Sequence, residues 1–145
     1  MEVTKHIIIL VRMNNLSKSV KIYIAGHKGM VGSACWRALE AEGYNNLIGY
    51  SSKELDLRDQ KSVFNLIKKE RPYAIIDSAA KVGGILANSK YPYEFLMDNL
   101  LIQNNLIKAA YELNTPKFIF LGSSCIYPKM APQPLKEEYL LTGPL

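Results

Sequence analysis

Cysteine and histidine are scarce in this chain: 145 residues hold two of each, with one tryptophan. Cys35 and Cys125 cannot supply a disulfide framework. Long apolar runs are missing as well. HIIILV, His6 to Val11, falls far short of the roughly 20 residues a membrane-spanning helix needs, and no small-residue cleavage site follows it. These absences point to a reducing, cytoplasmic setting and away from a membrane. Charge of one sign is modest: the net +5 comes from scattered lysines. Without a basic patch interleaved with aromatics, this reads as a solvated surface and not as a nucleic-acid interface. An anionic small ligand remains compatible with the excess. No metal site is expected.

What the chain does have is apolar content spread along its length, 48% in all, and 10% aromatics. That suffices for one modest core, too little for two, and argues against disorder. Residues 1–20 read as an N-terminal appendage with no assigned function. From there the pattern alternates. SVKIYIAG, NLIGY, YAIIDSAA and KFIFLGSS are strand-like apolar runs ending in small or polar residues. Between the first pair lies a helical period with Val31, Ala34, Cys35, Leu39 and Glu42 on one face, stopped at Gly43. The next spacing predicts a helix with Val63, Phe64 and Ile67 on one side and Pro72 just past its end. KVGGILANSKYPYEF reads as a loop. A long helix follows over residues 95–114, and the proline-rich end carries no convincing element. Strands alternating with helices, with nearly continuous apolar strands, predict an α/β fold: a doubly wound parallel sheet of Rossmann type.

AGHKGMVG sets Gly26, Gly29 and Gly32 three residues apart between the first strand and first helix. Gly26 permits the sharp turn, Gly29 lets backbone approach a pyrophosphate, and Gly32 lets the helix pack closely on the sheet. The helix amino terminus offers free N–H donors and partial positive charge. The whole loop, including His27, Lys28, Met30 and Val31, is therefore a candidate dinucleotide site. The second strand ends Tyr50, Ser51, Ser52, Lys53, with Glu54 only beyond. Hydroxyls and a lysine there, helped by Lys28, favour a ribose phosphate and hence NADP(H); the alternative is ordinary solvated loop residues. In a doubly wound sheet ligands lie beyond the carboxyl ends of the strands. Ala79, Ala80, Leu121, Gly122 and Ser124 therefore also face the cofactor, and the loop Val82, Gly83, Gly84 could meet a substrate. Ser123 and Cys125 share that crevice. Backbone bonding for the serines and apolar filling for the cysteine are the competing readings.

The G-x-x-G-x-x-G spacing resembles the extended short-chain dehydrogenase/reductase family. AGHKGMVGSA, AAKVGGILAN with YP, and FLGSSCIYPK together resemble its GDP-L-fucose synthase branch, from about Lys21 to the end of the chain. The resemblance implies NADP(H) as cofactor and Asp56 and Leu57 as an adenine-facing wall. It implies epimerisation of GDP-4-keto-6-deoxymannose followed by reduction, and homodimers at full length. Cys125 would be one acid–base group, with a histidine partner, and Ser123 would bond the keto oxygen. The family's Tyr-x-x-x-Lys pair is not in this sequence; the resemblance implies that it, the histidine and the sugar-binding domain lie beyond Leu145. Residues 21–145 would then be an incomplete NADP-binding domain, inactive alone, with an uncovered fourth strand that promotes self-association. A non-catalytic dinucleotide-binding module, or a piece of another nucleotide-sugar epimerase or dehydratase, are the alternatives.

Overall fold

A computed structural model describes residues 16–144, so most of the predicted appendage lies outside the described residues. Of its end, Leu16 and Val20 pack against the core. The first strand, β1 (Ile22–Ala25), is buried at every position, as is β3 (Ala74–Asp77). Side chains alternate between faces along a strand, so strands buried throughout need cover on both sides. They receive it. On one face Ile22, Ile24, Ala74 and Ile76 pack with Cys35 and Leu39 of helix α1 (Met30–Ala41). On the other, Tyr23, Ala25 and Ile75 meet Val63 and Ile67 of α2 (Gln60–Glu70), and Leu106 and Ala109 of α4 (Pro92–Glu112).

The sheet has the order β2–β1–β3–β4, all neighbours parallel, with β2 reduced to Leu47–Ile48 and β4 formed by Lys117–Phe120. This is the predicted doubly wound arrangement. In register, Ala25, Asp77 and Phe120 stand side by side. The segments leaving β1, β3 and β4 therefore emerge at one edge of the sheet. Among the described residues β4 is an edge strand: it pairs with β3 alone, and Phe120 is 49% exposed.

Local signals account for most boundaries. Asp59 caps α2 by accepting from the Lys61 N–H, and Arg71 in the left-handed region followed by Pro72 ends it. Gly43, at φ 86°, lets the chain turn after α1. Three expectations need correction. Val31 and Glu42 are exposed; the buried face of α1 is Gly32, Cys35 and Leu39, which leaves Val31 about 70° off its centre in the first turn and Glu42 just past the helix as its cap. The loop predicted over residues 81–95 contains a helix, α3 (Ile85–Lys90). α4 also starts earlier than the predicted 95, at Pro92, whose fixed φ and missing N–H suit a first helical position.

Candidate nucleotide site at the carboxyl edge of the sheet

The turn from β1 into α1 is interlocked with the end of β3. Gly26 has φ 76°, and a Cβ there would stand 2.9 Å from Ala79 Cα and N and from the Ser78 carbonyl oxygen. A Cβ on Gly32 would collide with the Gly26 carbonyl and lie 2.7 Å from Ser78 Oγ. That hydroxyl in turn donates to the Ala25 carbonyl at 2.6 Å. Gly26 and Gly32 thus do what their spacing predicted. Gly29 differs. Its N–H donates to the Gly26 carbonyl at 2.8 Å, and a Cβ would touch only that same oxygen, at 3.2 Å, so its outer side is open to an approaching ligand. Among the described residues no side chain caps the amino terminus of α1, and no acidic residue occupies its first turn. Met30 is exposed beside it. Uncapped N–H donors at an open glycine turn suit an oxyanion such as a pyrophosphate.

At the tip of β2 the sequence reading was incomplete. Ser52 and Lys53 are exposed. Glu54, however, folds back: its Oε2 accepts from Ser51 N–H at 2.7 Å and from Ser51 Oγ at 2.6 Å. These bonds hold its carboxyl below the usual carboxylate range, helped by Lys28 and His27. His27 fills the space over Gly49, where a Cβ would collide with its ring, and lies 5.7 Å from Trp36 between ring centres. Its buried Nδ1 has no hydrogen-bond partner among the described residues, and burial, then Lys28, lower its pKa. The glycine turn and the β2 tip are therefore one surface. Beyond it, Asp56 is gripped by Arg58 at 2.8 and 2.9 Å, and the buried Asn105 of α4 donates to the Leu57 carbonyl at 2.9 Å.

The chain leaving β3 is fixed from α4. Asn99 accepts from Lys81 N–H at 2.7 Å and donates to the Lys81 carbonyl at 3.0 Å. Lys81 Nζ reaches Asp98 at 2.8 Å. Val82, Gly83 and Gly84 are exposed, with Asn88 Nδ2 donating to the carbonyls of both glycines. Leaving β4, Leu121 is half-buried, while Gly122, Ser123, Ser124 and Cys125 are exposed in a tight turn where Ser123 Oγ accepts from Cys125 N–H at 3.1 Å. Ser123 thus makes the backbone bond weighed against a catalytic role; its hydroxyl hydrogen remains available to donate.

Asp77 was missed altogether. It is 1% exposed at the end of β3, with Oδ1 accepting from Ala79 N–H and Oδ2 unpartnered among the described residues. Burial pushes its pKa up to about 6. Tyr23, equally buried with a hydroxyl unpartnered among the described residues, has its pKa raised by burial and then by Asp77. The only sequence signal was an acidic residue inside an otherwise apolar strand.

Fold and site define a class: a parallel α/β domain with a dinucleotide-type glycine turn at the carboxyl edge of its sheet. The profile of the NAD dependent epimerase/dehydratase family matches residues 22–145, and the chain belongs to that family. GDP-L-fucose synthase 1 of Arabidopsis thaliana is 52% identical over 128 residues, 88% of this chain and 40% of that protein. Among solved structures, GDP-mannoheptose C4 reductase from Campylobacter jejuni with NADP bound superposes with a TM-score of 0.81 at 41% identity, over 89% of this chain and 41% of the other. The GDP-L-fucose synthetase from Naegleria fowleri bound to NADP gives 0.76 at 31%, over 89% and 39%. The chain spans about 40% of the length of the curated relatives it matches. Among the described residues no helix is long and apolar enough to cross a membrane.

Proposed function

We propose that this chain is the NADP(H)-binding portion of a GDP-L-fucose synthase, working in the cytoplasm on GDP-4-keto-6-deoxymannose. The observation that carries this reading is the uncapped amino terminus of α1, held against the end of β3 by Gly26 and Gly32 with Gly29 open beside it. It gains support from the NADP-bound relatives and from the identity to the plant synthase. The loop from Gly26 to Gly32 would hold the pyrophosphate, Lys28, Ser52 and Lys53 the ribose phosphate, and Asp56 and Leu57 the adenine wall. Ala79, Ala80, Leu121, Gly122 and Ser124 would border the nicotinamide half, and Val82, Gly83 and Gly84 the sugar. The nicotinamide supplies a hydride when bound. In the complete enzyme Cys125 would move a proton at a carbon flanking the ketone, which is acidic because the resulting enolate is stabilised. Ser123 would donate to the keto oxygen as charge develops there. Pairing into a homodimer is expected of the full-length protein.

Reduction requires a proton donor for that oxygen, and no Tyr-x-x-x-Lys pair occurs in these residues. The chain alone is therefore expected to bind NADPH without oxidising it in the presence of the keto-sugar. Fluorescence titration with NADPH, followed by a turnover assay, checks both halves. Failure to bind would overturn the cofactor role, and turnover by the chain alone would overturn the assignment of the missing acid. In a completed enzyme, Cys125→Ser is expected to lower epimerisation at least about a hundredfold with NADPH affinity unchanged.

A further inference from the structure

Resting on the NADP(H) reading, we propose that Glu54 is a selectivity-determining residue that offsets the preference for a ribose phosphate, so that NADH binds within about tenfold of NADPH. In sequence Glu54 lies four residues past Tyr50, too far to serve as the acidic residue at a strand tip. The fold cancels that distance. The N–H groups of Glu54 and Leu55 both donate to the Ser51 carbonyl at 2.9 Å, closing a turn that returns the Glu54 side chain to Ser51. There Oε2 takes both Ser51 donors, the backbone N–H and the hydroxyl. Among the described residues Oε1 accepts no hydrogen bond.

The surroundings give this placement a chemical consequence. A phosphate approaching the β2 tip finds the nearest N–H and O–H already taken by a carboxylate whose charge repels it. A ribose hydroxyl instead finds an open carboxylate oxygen that can accept its proton. Lys28 and His27 act on the Glu54 charge, and His27 is wedged over Gly49 next to the glycine turn, so Glu54 belongs to the cofactor surface. Lys28, Lys53 and Ser52 pull toward phosphate while Glu54 pulls against it, and the two tendencies offset. A purely local role, closing the Ser51 turn, would leave selectivity untouched. Gln at this position keeps a carbonyl oxygen for Ser51, removes the charge that repels phosphate, and replaces the open acceptor oxygen with an N–H donor, so both changes push toward the phosphorylated nucleotide.

The test titrates the purified chain and its Glu54→Gln variant with NADPH and NADH by fluorescence, and with 2′,5′-ADP and 5′-AMP by calorimetry. The wild-type chain is expected to favour the phosphorylated member of each pair by less than about tenfold, and Glu54→Gln to raise that preference a further 5- to 20-fold, roughly the effect of one like charge at several Å in a partly wet site. A wild-type preference above tenfold overturns the proposal without any variant. An unchanged preference in a folded Glu54→Gln, with both nucleotides binding, overturns it while leaving the dinucleotide site intact. Binding of neither nucleotide by the wild-type chain overturns the dinucleotide reading, and this proposal with it.

Discussion

Gly32 and Gly43 separate two reasons a position requires glycine. At Gly43 only φ is unusual, and a Cβ would meet nothing within 4 Å; Gly43→Ala should cost about 1 kcal/mol. At Gly32 a Cβ would be driven into backbone at Gly26, and Gly32→Ala should cost at least about 2 kcal/mol because neither helix nor sheet can yield cheaply. Urea denaturation of the pair checks the contrast. Asp77 makes a prediction in pH. Its folded pKa is raised to about 6 from 3.8, so the fold prefers the protonated acid. Its contribution is whole below pH 4, falls as pH rises toward 6, and stays lost above. The loss amounts to about 3 kcal/mol. Asp77→Asn should remove that slope and leave the variant more stable than wild type at pH 7.5, as thermal melts across pH 4–8 would show.

Among the elements, those that carry the candidate site were the most legible. IYIA and AIID are apolar enough to demand a two-sided sheet, and the glycine spacing placed the turn correctly. α3 was not legible, because Gly83, Gly84 and Asn88 read as loop residues; only the fold shows the Asn88 side chain bonding both glycine carbonyls. Glu54 escaped for a similar reason, since its return to Ser51 depends on a turn that hydrophobic periodicity does not register. Long-range ties such as Asn105 to Leu57 and Asn99 to Lys81 leave no local mark at all. They should matter to the loops they hold. Asn105→Ala should cost about 1–3 kcal/mol by stranding a part-buried carbonyl. Asn99→Ala should speed hydrogen exchange at Lys81, whose N–H loses its acceptor, while core strand amides remain protected.

At the scale of the whole chain, β4 has a free edge among the described residues. One side of this strand pairs with β3, and Phe120 stands half-exposed at its end, so strand addition from another copy is available. Sedimentation velocity at rising concentration should show self-association, and Phe120→Lys should shift the distribution toward monomer; a concentration-independent monomer in the wild type would refute this. The interlock of Gly26 and Gly32 with Ser78 and Ala79 bears on assembly of the fold as well. Its halves are separated by some fifty residues of chain, with Ser78 reaching back to Ala25 across 53 positions. The turn proposed to hold the phosphates is consequently complete only when the third strand lies against the first. A nucleotide that recognises only the finished turn would act as a thermodynamic latch, raising the melting temperature in proportion to the logarithm of its concentration.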